Sequence, residues 1–455
     1  GGHREVVGAR GADLLDHGVD LLLVQGLEAA DLVVDDAGLH RAAAGRVDQQ
    51  HHRLRAAVLE GRAQRRHGVL GAHLGAGGEV SGDGLHLAQR AQTFTFSGIT
   101  SRPVVSLNRG FSAPVTLHFA QSTEDLGHIA RYDSDLFARW QAITDLALPV
   151  LTDAAKTARD GGSVTASAAF VDVLLAVAAD EALEPAFRAQ ALALPGEAYL
   201  LERMSPADPV ALRAALIRLM QAIGTTLAED WLRVFDAMQV PGEYRYHPAD
   251  AGRRALANLA LRYLAAAGVA EGLQRAEARF AAATNMTERF GALAALVQSA
   301  SPARTAALQA FHARYRDDAL VLDKWFALQA GAWSWDAAGE PALARVRVLL
   351  SDPAFSLSNP NKVYALLGTF LRANPGEFHA ADGSGHAFWA EQVIALDARN
   401  PQVAARMARA LENWRRFTPA LQASIRPQLE RVLGADGLSP DVAEIVGKAL
   451  EQEGR

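Results

Sequence analysis

Two short stretches near residue 100 alternate apolar and polar residues, which is the pattern of β-strands with one buried face. Residues 93–96 read Thr-Phe-Thr-Phe, and residues 115–119 read Val-Thr-Leu-His-Phe. Pro103 and Gly110 lie between these stretches and indicate turns or loops there. Because a two-stranded ribbon is only marginally stable by itself, we interpret these strands as the remnant of a larger sheet.

From residue 122 onward the apolar residues recur with helical spacing. Ser122, followed by Thr123, Glu124 and Asp125, predicts a capped helix start. The clearest helix is predicted to bury one face, through residues at i, i+3, i+4, i+7 and i+8, namely Leu256, Leu259, Ala260, Tyr263 and Leu264. Further helices are predicted at residues 165–180, 208–221, 286–299, 302–315, 361–372, 401–415 and 438–451.

Three asparagine–proline pairs predict helix starts, at Asn359-Pro360, Asn374-Pro375 and Asn400-Pro401. Asparagine accepts a hydrogen bond from a free N–H group of the first turn, and proline at the first helical position lacks one of those donors. Serial helices with short links over residues 122–455 are too many for a simple bundle. They predict a mainly α fold, a superhelix of stacked helix pairs.

The composition is that of a globular protein and excludes several classes of function. Half of the 455 residues are hydrophobic, 21% are charged, and the formal net charge is −6. This acidic balance gives no support to a nucleic-acid partner. The sequence shows neither a long apolar run nor a signal peptide, so no membrane partner is expected. The chain has no cysteine, which fits a reducing compartment and favours a cytoplasmic location.

The composition changes abruptly at residue 92. Residues 1–92 contain no aromatic residue, although roughly six would be expected at the whole-chain frequency of 7%. Apart from Ser81, their residue types all have codons that begin with G or C. In a GC-rich gene a shifted or complementary reading frame would give this alphabet. We interpret residues 1–92 as a wrong-frame or disordered segment, and the alternative is a genuine low-complexity extension that is partly helical.

Six segments beyond residue 92 resemble, in order, signatures of bacterial aminopeptidase N, a zinc metallopeptidase of the M1 family. The first, Arg-Pro-Val-Val-Ser-Leu-Asn-Arg-Gly-Phe-Ser-Ala-Pro-Val at residues 102–115, is similar to the end of that family's β-domain. The others are Thr-Asn-Met-Thr at 284–287, Asp-Lys-Trp-Phe-Ala-Leu-Gln at 323–329, Ser-Asn-Pro-Asn-Lys at 358–362, Asp-Gly-Ser-Gly at 382–385 and Arg-Asn-Pro-Gln-Val-Ala-Ala-Arg at 399–406. The resemblance covers residues 93–455.

The resemblance implies an armadillo- or HEAT-like helical superhelix preceded by a short β-strand remnant of an Ig-like β-domain. It gives three expected regions, which are the low-complexity segment 1–92, the last strands of the β-domain at 93–121, and a C-terminal helical repeat domain at 122–455. The implied function is the chamber-forming part of an aminopeptidase of the alanyl (membrane-alanine) type, which releases N-terminal residues from peptide substrates.

The zinc chemistry of that family requires a His-Glu-x-x-His helix, in which two histidines bind the metal and the glutamate is the general base. No histidine of this chain is followed directly by glutamate, and the family's Gly-Ala-Met-Glu-Asn strand is also absent. We therefore expect no catalytic residue, no metal ligand and no cofactor in this chain, and we expect the isolated chain to be inactive. His379 and His386 flank Asp382 on a glycine-rich loop, and we interpret them as loop hydrogen-bonding groups.

Two positions are implied to line the substrate chamber. The arginine matching Arg406 faces the chamber in the enzymes that this chain resembles, and its guanidinium would bind a peptide carbonyl or carboxylate. The family's other chamber arginine falls at Tyr364, which puts that contact in doubt. The alternative for Arg406 is a helix-surface arginine without a ligand.

Three hypotheses follow for the whole chain. The first is that its catalytic part is missing through truncation or a misassigned gene start, so that this chain would contact a missing catalytic domain. The second is a stand-alone armadillo-like module that binds proteins or peptides. The third is an enzyme reconstituted from separate chains, for which the sequence gives no positive sign.

Overall fold

The structure is a computed structural model of the 455-residue chain. It describes the strand backbones at residues 52–59, 80–81 and 84–87, and then residues 102, 104–111, 119–159, 162, 166–333 and 341–451. The strands expected at residues 93–96 and 115–119 lie outside the described residues, except for Phe119. The boundaries predicted at residues 92 and 121 stay predictions, as does the wrong-frame interpretation of 1–92.

The described strands form one antiparallel sheet in the order β2-β3-β1-β4. The strands are β1 (His52–Leu59), β2 (Val80–Ser81), β3 (Gly84–Leu87) and β4 (Val104–Leu107). The first half of β1 pairs with β3 from His52 opposite Leu87, and the second half pairs with β4 from Ala56 opposite Leu107. Strand β4 belongs to the first of the six signature segments, and β1 to β3 precede residue 92.

After the sheet, all regular elements in the described residues are helical. The first half of the series is α1 (Thr123–Tyr132), α2 (Leu136–Arg159), α3 (Ala168–Ala179), α4 (Pro185–Leu192), α5 (Glu197–Glu202), α6 (Pro209–Thr226), α7 (Ala228–Ala237), α8 (Pro248–Ala266), α9 (Ala270–Ala282) and α10 (Met286–Val297). The second half is α11 (Ala303–Tyr315), α12 (Ala319–Ala330), α13 (Ala342–Leu349), α14 (Pro360–Val363), α15 (Thr369–Ala373), α16 (Pro375–Phe378), α17 (Ser384–Asp397), α18 (Pro401–Ala408), α19 (Pro419–Leu433) and α20 (Pro440–Glu451).

The chain folds into two compact units. Among the described residues, one unit is drawn from Leu151–Thr165 and Pro195–Arg455, and the other from Ala30–Val150 and Ala166–Leu194. In the smaller unit, arginines of the first signature pair with acids on and after α1. Arg102 lies 2.6 Å from Asp125, and Arg109 lies 2.8 Å from the fully buried carboxylate of Asp133.

Helix α8 is the centre of the larger unit's core. It packs against α6, α7, α9 and α10. The five residues of the predicted stripe are all buried, and Tyr263 stacks on Trp231 of α7 with ring centroids 4.7 Å apart. The prediction of a single buried face was wrong, because Ala257, Leu261 and Ala265 are buried as well. A helix that has neighbours on several sides buries residues outside its main stripe.

Most of the predicted helix starts are capped as the sequence indicated. Ser122 accepts a hydrogen bond from the backbone N–H of Asp125, Asn359 from Asn361, and Asn400 from Val403. Asn374 precedes a helix but does not cap it. Its buried side chain instead donates to the carbonyl oxygens of Ala330 and Ala332, at 2.8 and 3.1 Å.

Two predicted helices are irregular. The helix predicted at 401–415 ends as an α-helix at Ala408, and two 3₁₀ turns follow at Arg409–Leu411 and Trp414–Arg416. Trp414 donates to the carbonyl of Ala449, which holds this segment against α20 in place of a continuous helix. The helix predicted at 361–372 contains a π-helical turn, Tyr364–Gly368. Such turns are rare and occur mostly as single-turn insertions in α-helices.

None of the described helices is by itself both long enough and apolar enough to cross a membrane. The bent pair α6 and α7 meets the same test jointly, with an angle of 78° at the break.

Helices α6 and α8 approach each other closely at Gly224, and this gives a stability prediction. A Cβ atom on Gly224 would lie 2.1 Å from the carbonyl oxygen of Tyr263, whereas one on Gly447 of α20 would meet nothing within 4 Å. We expect Gly224→Ala to lower the free energy of unfolding by about 1–3 kcal/mol. The same change at Gly447 should raise it by about 0.4–1 kcal/mol. Urea unfolding of the two variants checks this, and equal effects would contradict the packing described.

Candidate functional site

A buried ion pair fixes the chain segment that carries Tyr364. The ammonium of Lys362 on α14 lies 2.7 Å from the carboxylate of Asp323 on α12, and it also donates to the carbonyl of Ala319 at 2.7 Å. Lys362 is only 5% exposed. The pair joins two of the signature segments, Asp-Lys-Trp-Phe-Ala-Leu-Gln and Ser-Asn-Pro-Asn-Lys. Because a buried charge is costly without its partner, this contact holds α14 against α12 immediately before the π-helical turn.

The helix that carries Arg406 is fixed from the other side. Trp389 of α17 is fully buried, and its indole N–H donates to the carbonyl of Met407 at 3.0 Å. Val403 and Met407 are buried on the same helix, while Arg406 is exposed. Arg406 therefore projects to solvent from a helix whose opposite face is anchored in the core.

The structure brings the two sequence-predicted site residues together. The guanidinium carbon of Arg406 lies 5.7 Å from the centre of the Tyr364 ring, which is cation–π distance. Tyr364 is half-buried and begins the π-helical turn. The arginine and the tyrosine come from segments 42 residues apart in the sequence, so only the fold makes them neighbours.

A third side chain, Arg372 on α15, belongs to the same cluster. A Cβ atom placed on Gly368 would lie 3.5 Å from an Nη atom of Arg372, 3.8 Å from the Met407 methyl group and 3.8 Å from the Tyr364 Cβ atom. The side chains of Arg372, Met407 and Tyr364 therefore all border Gly368. We call Tyr364, Gly368, Arg372 and Arg406 the arginine cluster.

The charges in the arginine cluster act on one another. The side chain of Arg372 is exposed to solvent. Nearby protein atoms nevertheless remove part of the water around its guanidinium, and this desolvation lowers its pKa. The Tyr364 hydroxyl raises that pKa, and the positive charge of Arg406 lowers it. A like-charged neighbour on a partly desolvated guanidinium is an arrangement that a bound anion would stabilise.

Sequence reasoning did not find Arg372. The available signal was spacing, because Tyr364, Gly368 and Arg372 follow at i, i+4 and i+8 along a helical segment and so lie near one face. By contrast, Arg409 is exposed one turn beyond Arg406 and pairs with Glu412 at 3.4 Å. Because its guanidinium already has this ion-pair partner, Arg409 is a natural control residue.

The two histidines of the Asp-Gly-Ser-Gly signature form a buried hydrogen-bonded chain. His379 Nδ1 lies 2.9 Å from His386 Nε2, and His386 Nδ1 lies 2.9 Å from the hydroxyl of Ser424. Burial lowers the pKa of His386 to about 4, although Asp382 acts in the opposite direction. Burial, followed by the neighbouring His386, lowers the pKa of His379 well below its usual value. Both rings are therefore neutral at physiological pH.

Asp382 is hydrogen-bonded to the first residue of α17. Its carboxylate accepts hydrogen bonds from the backbone N–H and the hydroxyl of Ser384, at 3.0 and 2.7 Å, and these bonds lower its pKa. The Asp382 carboxylate and the two histidines do not form a set of metal ligands. Among the residues that the structure describes, no group of three or more histidine, aspartate or glutamate side chains is arranged to hold a metal ion. The described residues therefore do not fit a catalytic zinc.

Comparison with known protein families gives two matches. Residues 123–451 match the family described as "Domain of unknown function (DUF3458_C) ARM repeats". Residues 68–120 match the family described as "Domain of unknown function (DUF3458) Ig-like fold". These matches confirm the predicted fold class, a helical armadillo-like region preceded by part of an Ig-like domain. The second match begins before residue 92, at which the composition changes.

Curated relatives and solved structures agree with the predicted resemblance. The chain is 40% identical over 365 residues to aminopeptidase N of Caulobacter vibrioides and 34% identical over 374 residues to aminopeptidase N of Escherichia coli. These alignments cover 80% and 82% of this chain but only 41% and 42% of the relatives, so the chain spans about two fifths of their length. The crystal structure of Legionella pneumophila aminopeptidase A in complex with aspartic acid matches with a TM-score of 0.74 and 26% identity, over 89% of this chain and 46% of that one.

The buried histidine chain predicts acid sensitivity. The folded pKa of His386, about 4, lies below its ordinary value of 6.5, so the unfolded chain binds more protons between these values. The free energy of unfolding should therefore fall as the pH drops from about 6.5 toward 4, by roughly 3 kcal/mol from His386 alone. Urea titrations across this pH range measure the slope. His386→Asn should reduce it, whereas the exposed control His247→Asn should not, and an unchanged slope in His386→Asn would contradict the assignment.

Proposed function

Because the chain belongs to the DUF3458_C family of ARM-repeat domains, whose model matches residues 123–451, we propose that it is the substrate-chamber region of an M1-type zinc aminopeptidase. The support is the similarity over four fifths of this chain to proteins named aminopeptidase N. The released product would be the N-terminal residue of a peptide, and the zinc, the general base and the N-terminal pocket would belong to a catalytic domain.

The arginine cluster is the part of this chain that we propose meets the substrate. Arg406 projects to solvent from a helix anchored by Trp389, and the half-buried ring of Tyr364 lies beside its guanidinium. A guanidinium held in this way donates paired hydrogen bonds to a peptide carbonyl or carboxylate. Its role would be to position the peptide, while the bond-breaking chemistry occurs elsewhere.

Zinc fits the proposed enzyme but not the described residues of this chain. Among the residues whose side chains the structure describes, His379 and His386 are hydrogen-bonded to each other, and His386 is also hydrogen-bonded to Ser424. No carboxylate takes part in these bonds. We therefore propose that the metal is bound by residues outside this chain. We also retain a cytoplasmic location as a proposal, which the absence of cysteine supports.

The alternative function is a stand-alone armadillo-like module that binds peptides or proteins. The ARM-repeat match supports it, because stacked helix pairs commonly present extended binding surfaces. The DNA upstream of the codon for Phe94 separates the two. A His-Glu-x-x-His coding string in the same frame favours the aminopeptidase, and a partner bound without any upstream peptidase sequence favours the module.

The isolated 455-residue chain should bind no stoichiometric zinc and release no N-terminal residue from an aminoacyl substrate. The reason is that its sequence has no His-Glu-x-x-His helix. Metal analysis of the purified chain and an aminoacyl-anilide assay measure both properties. Stoichiometric zinc together with chelator-sensitive release would refute the proposal that catalysis needs another domain.

In a chain joined to a full catalytic domain, Arg406→Ala should weaken peptide binding by about 1.5–3 kcal/mol, the usual value for hydrogen bonds to charged groups. The fold should stay intact, because Arg406 is exposed and forms no ion pair with a described residue. The matched control is Arg409→Ala, which removes a surface pair with Glu412 and should change little. Steady-state kinetics with a peptide substrate measure both variants, and equal effects would remove the case for Arg406.

A further inference from the structure

One guanidinium in the core of the larger unit has donors that no described residue accepts in good geometry. Arg279 of α9 is 7% exposed, and its Nε, Nη1 and Nη2 atoms are all buried without a well-aligned hydrogen bond to another described residue. Its ion-pair partner is Glu288 of α10, whose Oε1 atom lies 3.4 Å from Nη2. The equally buried Arg289, by contrast, donates to the carbonyl oxygen of Phe280 at 2.9 Å and to that of Ala283.

The acidic partner of Arg279 is shared with a second buried guanidinium. Arg254 of α8 is 3% exposed, and its Nε atom lies 3.3 Å from the same Oε1 atom of Glu288. Both distances are at or beyond the long end of the hydrogen-bond range. Asp250, one turn before Arg254, already pairs with Arg245 at 2.6 Å. The group formed by Arg254, Arg279 and Glu288 therefore carries one positive charge in excess.

Aromatic rings lie against both guanidiniums of this group. The guanidinium carbon of Arg279 is 5.2 Å from the centre of the buried Phe235 ring on α7, and that of Arg254 is 4.7 Å from the centre of the Tyr244 ring. A ring face attracts a cation but supplies no lone pair along the N–H directions. Burial lowers the pKa of Arg279, Glu288 raises it, and Arg254 lowers it further. Because a guanidinium stays charged in proteins, the excess charge is costly unless an anion balances it.

We propose that Arg279 binds a small monovalent anion, with chloride as the representative ion, and that the charge of Arg254 strengthens the site. The ligand must be an acceptor, because a guanidinium has only donors. It must be small, because all three nitrogen atoms of Arg279 are buried. A single negative charge matches the excess of the group, whereas a dianion such as phosphate would reverse it. The anion would accept from Arg279 nitrogen atoms that Glu288 does not occupy.

The proposed ion would contribute to stability, because it would bind the folded chain at a site assembled from helices α8, α9 and α10. The site is separate from the arginine cluster and does not depend on the proposed peptidase function. An anion that binds the folded chain and not the unfolded one raises the free energy of unfolding by mass action. Stability of this chain should therefore depend on chloride itself and not only on ionic strength.

The test is urea unfolding of the full 455-residue chain at constant ionic strength, with sodium gluconate replaced stepwise by sodium chloride. Constant ionic strength removes general screening from the comparison. A site with a dissociation constant of about 20 mM should lower the unfolding equilibrium constant about tenfold at about 200 mM chloride. Crystals soaked in bromide should give an anomalous peak in contact with Arg279.

Three variants assign the chloride dependence to this group. Arg279→Gln should abolish it, because the buried donors and the excess charge are removed together. The matched control is Arg275→Gln, one turn earlier on α9, where the half-buried arginine pairs with Asp236 at 2.9 Å and the full dependence should remain. Glu288→Gln raises the excess to two positive charges and should reduce the chloride concentration at half-effect several-fold. This gain keeps the test decisive if Arg279→Gln does not fold.

Each of three outcomes would overturn the proposal. The first is a parent chain whose stability does not change when chloride replaces gluconate. The second is an equal chloride response in Arg279→Gln and Arg275→Gln, or an unchanged half-effect concentration in Glu288→Gln. The third is a water molecule at Arg279 in the bromide-soaked crystals, or a bromide peak without any chloride-dependent stability, which would mean binding at crystal concentration only. None of these measurements involves a peptide, so their result is independent of the proposed function.

Discussion

Both units depend on one constraint, which is that the carbonyl oxygens at buried helix ends need hydrogen-bond donors from outside the helix. The last carbonyl oxygens of a helix have no partner within it, and in a stack of short helices many of these ends are covered by neighbours. Long donor side chains supply the missing bonds. Arg188 donates to Ala178 at the end of α3, Arg289 to Ala283 after α9, and Arg415 to Leu450 in α20. A buried carbonyl without a partner would cost about 1–3 kcal/mol, so these contacts stabilise the observed packing of the helix ends.

Side-chain donors to helix-end carbonyls also hold the helices that carry the arginine cluster. Asn374 donates to two carbonyls at the end of α12, and Trp389 donates to Met407 in the last turn of α18. Together with the Lys362–Asp323 pair, these bonds hold the three segments that carry Tyr364, Arg372 and Arg406. The cluster is therefore presented by anchored helices, and its guanidiniums need not contribute to the fold.

Most contacts of the signature segments stabilise the fold. In Asp-Gly-Ser-Gly, Asp382 accepts a hydrogen bond from the N–H of Ser384, the first residue of α17. Gly385 allows a close approach, because a Cβ atom there would lie 2.0 Å from the carbonyl oxygen of Phe378. In the first signature, Arg109 neutralises the buried carboxylate of Asp133. The segments that identify the family thus specify how helices begin and how they pack. Only the last of them, through Arg406, reaches the surface that we propose binds a ligand.

The sequence by itself determined the class of fold and the start of most helices. Periodic apolar residues and caps such as Ser122 and Asn400 act within one or two turns, so their consequences can be predicted locally. It also singled out Arg406 and Tyr364 by resemblance, but not that they are neighbours. The tertiary structure decided the break of the helix after Ala408, the second buried face of α8, the use of Asn374 as a carbonyl donor and the place of Arg372 in the cluster. Each of these depends on partners far away in the chain, whose positions follow from packing and from the pairing of buried polar groups. The spacing of Tyr364, Gly368 and Arg372 could place these three residues near one helix face, but only the fold brings that face to Arg406.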